Sequence, residues 1–172
     1  MTIKHPSPVR DAILNRIGEQ VSNVEPPAGA PLTWDDIGLL CHGLVFAQRP
    51  ILAATKDVTE RNSLGPRGAW LLNLISAGVN FPHELSEVMG IGRSLMSAEL
   101  TRLTDAELIV SKPGATDKRR TELALTDKGE AEHKVIHAEI ERILRAGLAK
   151  YAPDDVRMFT RMLRDMRESA RG

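Results

Sequence analysis

Apolar residues in this chain recur mostly at helical spacing. Val9, Ile13, Ile17 and Val21 return every fourth position and predict a short amphipathic helix over 8–22. Glu25-Pro26-Pro27-Ala28-Gly29-Ala30-Pro31 ends it, because adjacent prolines remove backbone donors and restrict the residues before them. Thr33 then supplies an N-cap, with Asp35 and Asp36 in the first turn. A long helix is expected from there to about Arg61. Ile37, Leu40, Cys41, Leu44, Ile51, Leu52 and Thr55 hold one broad face, and a kink or a break is expected at Pro50. Asn62-Ser63-Leu64-Gly65 closes the segment. Pro66 stands where a first-turn proline belongs, and Ala69, Trp70, Leu72, Asn73 and Ile75 carry a helix to about Ala77, ended by Gly78. Pro82 opens a short helix to Met89, stopped by Gly90-Ile91-Gly92. Arg93 begins the next, to about Ala106, with Leu95, Met96, Leu100 and Leu103 on its buried side.

The period then changes. Leu108-Ile109-Val110 has strand preference, Pro113-Gly114-Ala115-Thr116-Asp117 is turn chemistry, and Thr121, Leu123 and Leu125 alternate with Glu122 and Ala124. These features make a hairpin with a long basic tip. Thr126 caps a further helix striped by Ile136, Ile140, Ile143, Leu144 and Leu148. After the turn at Tyr151-Ala152-Pro153, Val156, Phe159, Leu163 and Met166 form a short heptad seam. Four regions follow: an arm and linker over 1–31, a helical dimerisation region over 32–65, a winged helix-turn-helix over 66–126, and C-terminal dimerisation helices over 127–172. Two helices joined by a glycine turn and followed at once by a hairpin are the winged helix-turn-helix order. The fold class expected is mainly α with a small β-wing, inside a helical dimerisation domain. The stripes on the flanking helices need a cover, and a two-fold dimer supplies one.

Composition narrows the function. With 23 Lys+Arg against 23 Asp+Glu, the net charge is zero, so a uniformly basic nucleic-acid binder is excluded and only a local basic feature is allowed. Aromatics are 3% of residues, too few for a base-stacking surface. The single Cys41 excludes an intrachain disulfide and an all-cysteine zinc site. The N-terminal stretch lacks a secretory signal and no unbroken apolar run reaches bilayer length, so a cytoplasmic protein away from membranes is expected. There is no nucleophile–base pair, glycine-rich phosphate loop or full metal set, so neither an enzyme nor a cofactor is expected.

Residues 66–130 resemble the winged helix-turn-helix core of the MarR family of transcription regulators. The resemblance rests on Gly92-Arg93-Ser94, Asp117-Lys118-Arg119 and Leu125-Thr126 with Gly129. The flanking helices match that family's dimerisation domain in order and length. Two departures stand out. Glu107 replaces the glycine usual at the end of the recognition helix, so a different local turn is expected there. Ala98-Glu99 stands where many relatives carry a basic residue.

Candidate contacts follow from geometry and resemblance together. Arg93, Ser94, Ser97 and Arg102 occupy the exposed side of the recognition helix, whose N-terminal residues project toward base edges. His83, Ser86 and Arg67 suit phosphate contacts. Lys112, Lys118, Arg119 and Arg120 make the hairpin basic; the resemblance places Arg119 in the minor groove and has Asp117 orient it. Each is set against the alternative of an ordinary solvated side chain. Met96 either faces the core or touches a thymine methyl. Cys41 is either a small buried hydrophobe or, by resemblance to one branch of the family, a peroxide-sensing thiol. His133 and His137, four residues apart, are either a polar helix side or part of a metal site; no metal is assigned. Trp34, Trp70 and Phe46 are expected mostly in the core, with one of them bordering the small-molecule cavity common in the family.

The expected function is sequence-specific binding of double-stranded DNA, at a pseudo-palindromic operator, by a homodimeric repressor that a small-molecule effector releases. Two readings stand beside it: a redox regulator using Cys41, and a winged helix that docks protein without binding DNA.

Overall fold

The computed structural model describes residues 29–113 and 121–169. The helix expected over 8–22 and the hairpin-tip residues Asp117, Lys118, Arg119 and Arg120 lie outside the described residues.

Helix α1, Trp34–Arg61, starts at a reciprocal cap. Thr33 Oγ1 accepts from the Asp36 amide, while the Thr33 amide and hydroxyl donate to Asp36 Oδ2 at 2.8 and 2.7 Å. These bonds, the backbone one first, hold the Asp36 carboxyl below its ordinary value. The break expected at Pro50 does not occur: the proline lies inside one helix. It does mark the boundary between two compact units, up to Arg49 and from Pro50 onward.

In the first unit, Trp34 is 79% exposed, and Ile37, Leu40, Val45 and Cys41 are exposed as well. Neither Trp34 nor Cys41 is therefore a buried core residue. The stretch Asp36–Arg61 also contains an 18-residue window apolar enough, by length and composition, to cross a bilayer (mean hydropathy 1.4). Counting unbroken apolar runs missed this, because His42, Gln48, Arg49 and Pro50 interrupt the run while the many Leu, Ile, Val and Ala residues around them keep the average high.

The second unit contains the winged module. After α1 come α2 (Gly68–Ser76), α3 (Pro82–Met89), α4 (Arg93–Asp105), β1 (Ile109–Pro113), β2 (Thr121–Leu125), α5 (Asp127–Leu148) and α6 (Pro153–Ser169). Pro66 precedes α2 instead of opening it, with Arg67 at the N-cap. Val58 of α1, Leu71, Leu72 and Ile75 of α2, Leu85 of α3, Met96 and Leu103 of α4, Ile109, Leu123 and Ile136 form one core. Burying each such side chain contributes about 1.5–3 kcal/mol. Trp70 is half-exposed and is not part of it. The strands pair antiparallel, with Ile109 opposite Leu125 and Lys112 opposite Glu122. The Leu123 amide also donates to the Asn80 carbonyl at 2.8 Å, so the segment before α3 flanks β2.

The ends of the helices share one geometry. After α4, the Glu107 amide donates to the Thr104 carbonyl and the Leu108 amide to the Leu103 carbonyl, both at 2.9 Å, with Glu107 at φ 60°. This is the left-handed Schellman closure, so the different turn expected at Glu107 does not arise. Leu103 and Leu108 are both fully buried, and their contact supports the closure. The same pair of bonds ends α1 at Ser63 and α2 at Gly78.

Candidate nucleic-acid interface

Three side chains hold α4 to the body. Met96 and Leu103, spaced seven apart, sit in the core at 1% and 0% exposure. Burial removes Met96 from any contact with a base. Between them lies Glu99, 2% exposed. Arg67 Nη1, at the N-cap of α2, is 3.8 Å from one carboxylate oxygen of Glu99, and Arg102 Nη1, one turn along α4, is 3.3 Å from the other. A Cβ at Gly65 would meet this group at 3.1–3.2 Å, so the chain passes close behind it. A buried carboxylate is tolerable only when paired, and here its two partners keep half of their own surface in solvent. Glu99 is the acid of the Ala98-Glu99 pair that stands where many relatives carry a basic residue. Its spacing from Met96 and Leu103 places it on the buried stripe, and that was the available signal.

The other side of α4 is open. Arg93, Ser94 and Ser97 are exposed, and the N-cap Gly92 offers no side chain to the first-turn amides, which leaves those donors free for an anion. A cleft of about 480 Å³ runs beside the helix; Pro82, His83, Ser86, Arg93, Ser97, Ser111 and Thr121 line it. Four of the residues singled out from sequence, His83, Ser86, Arg93 and Ser97, thus come together from two helices at the base of the hairpin. Ser94 is exposed on the same helix. Arg102 stands on the opposite flank, drawn toward Glu99. Lys112 is exposed on β1.

The junction behind α4 is tightly tied. The Thr126 hydroxyl donates to the Glu107 carbonyl at 2.7 Å and accepts from the Gly129 amide at 3.0 Å, while Lys128 Nζ donates to the Ala106 carbonyl at 2.7 Å. Gly129 has no freedom to carry a side chain: its Cβ would stand 2.0 Å from the Leu108 carbonyl oxygen. Arg61 then joins the end of α1 to Glu132 of α5 through one guanidinium edge, Nε donating to one carboxylate oxygen at 2.8 Å and Nη2 to the other. Asn62 adds a bond to the same carboxylate at 3.0 Å. Arg61 holds the Glu132 carboxyl below its ordinary value despite partial burial.

Further along α5, His133 Nε2 lies 3.4 Å from Asn73 Oδ1, and burial, aided by the charge of His137, holds its imidazole below the ordinary value. Among the described residues, no cluster of three His, Cys, Asp or Glu side chains is arranged to hold a metal ion. A second cleft, of about 420 Å³, lies among Thr55, Trp70, Asn73, Ile136, His137 and Ile140. Of the three aromatics considered for a cavity wall, Trp70 is the one found there.

No protein-family model matches the sequence, and no curated protein does. Solved structures do. Staphylococcus aureus MarR in complex with salicylate and kanamycin superposes with a TM-score of 0.65 at 19% identity, covering 78% of this chain and 91% of that one. CouR from Rhodococcus jostii bound to p-coumaroyl-CoA gives 0.63 at 18% identity, covering 80% and 95%. A mutant Escherichia coli MarR complexed with operator DNA gives 0.59 at 17% identity, covering 79% and 99%. The chain has the MarR fold. The structures that match it are consistently MarR-family transcriptional regulators, and none of the three above is described as an enzyme. In MarR-fold terms, α3 and α4 are the helix-turn-helix pair and β1 and β2 the wing.

Proposed function

We propose that the chain is a sequence-specific DNA-binding transcription regulator that acts as a homodimer. The observation that carries this reading is the mounting of α4: its inner stripe is locked by Met96, Glu99 and Leu103, while Arg93, Ser94 and Ser97 stand clear beside the wing. Arg93, Ser94 and Ser97 enter the major groove, and His83 and Ser86 meet phosphate. Arg102 and Lys112 flank them and also meet the backbone. Arg119 keeps the minor-groove role the resemblance gives it, with Asp117 orienting it, and Lys118 and Arg120 supply further positive charge for the DNA.

The dimer reading rests on exposed apolar surface. In α6, Met158, Phe159, Met162 and Met166 are exposed and no residue is buried. In α1, Ile37, Leu40 and Val45 are exposed. A second copy covers these faces, which also accounts for an apolar α1 without a membrane and agrees with a cytoplasmic location. Two recognition helices about 34 Å apart then reach successive major grooves of a pseudo-palindromic operator. Repression, and release by a small molecule in the Trp70–His137 cleft, complete the reading. Support for release comes from the neighbours that hold salicylate or p-coumaroyl-CoA. An effector acts only as far as it prefers one spacing of the two lobes over another.

The test is selection of bound duplexes from a random pool, followed by titration at several salt concentrations. A recovered inverted repeat, with affinity falling steeply as salt rises, is the expected result. Binding that recovers no sequence and ignores salt rejects the reading in favour of a protein-docking winged helix.

A further inference from the structure

The outward stripe of the recognition helix has an unusual chemistry for a reader of bases. With Met96, Glu99 and Leu103 buried, a rotation of about 100° per residue places Ser94, Ser97, Ala98 and Thr101 on the far side, and all four are exposed. Ser94 and Ala98 are four apart, Ala98 and Thr101 three apart, so they form one contiguous patch. None of the four carries a charge or an amide. The guanidinium fork that suits guanine and the carboxamide fork that suits adenine are therefore both missing from the centre of the helix. The two cations of α4 lie at the edges of this patch: Arg93 at the N-terminal end of the cleft it shares with His83, Ser86, Ser97 and Thr101, and Arg102 paired with Glu99.

Thr101 sharpens the point. Its hydroxyl donates to the Ser97 carbonyl at 2.9 Å, within the helix. Its donor is spent, which leaves the oxygen as an acceptor only and the methyl as the apolar group turned to a partner. Ala98 offers a methyl and nothing else. Small side chains also let the helix axis approach the groove floor closely. The base whose major-groove edge carries an apolar group is thymine, through its 5-methyl.

We infer that α4 reads its half-site mainly through thymine methyl groups, which pack against the Ala98 and Thr101 methyls while Ser94 and Ser97 bond to neighbouring base edges or phosphates. This deepens the DNA-binding reading and rests on it. It also moves the thymine contact from the buried Met96 to two residues that periodicity alone did not single out.

Deoxyuridine tests the inference, because it keeps every hydrogen-bonding group of thymine and lacks only the methyl. The duplex recovered by selection is titrated with the full chain at one salt concentration, with thymine or uracil at each half-site position. The expected result is that one or two thymines per half-site each contribute roughly fourfold to affinity, the value of one buried methyl. Thr101→Ser, which keeps the hydroxyl, and Ala98→Gly should each become indifferent to uracil at the thymine it reads. Circular dichroism confirms that both variants fold, and Thr101→Ser carries the test alone if Ala98→Gly does not. A recovered operator at which every uracil is neutral, or at which both variants lose as much to uracil as the wild type does, overturns the methyl reading and leaves DNA binding standing. Failure to recover any sequence, with affinity indifferent to salt, overturns the DNA-binding reading and this inference with it.

Discussion

Glu107 carries a conformational cost that its neighbours avoid. It holds a left-handed backbone at φ 60°, where glycine would be free of strain, because the bonds to Thr104 and Leu103 and the Leu103–Leu108 contact fix the turn. An L-residue in that region costs roughly 1–2 kcal/mol. Glu107→Gly is therefore expected to stabilise the fold by about 1 kcal/mol, part of the gain being returned as freedom of the unfolded chain. A urea titration checks this, and an unchanged or lower midpoint would show that the turn is not strained. The sequence raised the right question at this position and answered it wrongly. Local propensity argued against the turn, but the burial of Leu103 and Leu108 in the core decided its shape. Gly129 is the opposite case: its neighbour Leu108 lies 21 positions back, so the need for glycine is invisible until the strand has folded against α5.

Helices α4 and α5 depend on charged links between elements far apart in sequence. Glu99 joins α4 to the start of α2, and Glu132 joins α5 to the end of α1. Glu99→Gln keeps the volume and removes the charge that faces Arg67 and Arg102. We expect it to destabilise the fold by about 1–2 kcal/mol, as for other lost charge-assisted contacts. Thermal unfolding measures the loss, and no change would mean that the arginines do not lean on the carboxylate. For Glu132 the sign of the pH effect follows from Arg61. The folded carboxyl titrates below its ordinary value of 4.5, so its stabilising contribution is present above that value and is lost as pH falls through the lower, folded one. Glu132→Gln should be less stable at neutral pH and should lose less on acidification; parallel pH profiles for the two proteins would exclude this link. Helix extents and the hairpin were readable from periodicity within a few residues, because period and caps are local. The pairs Arg61–Glu132 and Arg67–Glu99 were not, because nothing in either segment names its partner.

The proposed dimer gives the exposed apolar faces a cover. Phe159 and Met166 of α6 are exposed in the single chain, on the seam read from the heptad spacing. Phe159→Glu places a charge at the centre of that face and is expected to weaken dimerisation by at least about 2 kcal/mol. Sedimentation across a concentration series reads the effect, and an unaltered dissociation constant would remove α6 from the interface. Operator affinity should fall together with dimerisation, since one recognition helix alone meets half of a palindrome.

By itself the sequence determined the order of elements, the caps, the hairpin and the resemblance to MarR regulators, all of which depend on neighbours a few residues away. Only the tertiary structure decided which residues of α4 face outward, that Glu99 is buried and Met96 unreachable, and that Glu107 bends left-handed against its own preference. Those outcomes depend on which surfaces meet across the core, and burial is a property of the meeting, not of either strand of sequence alone.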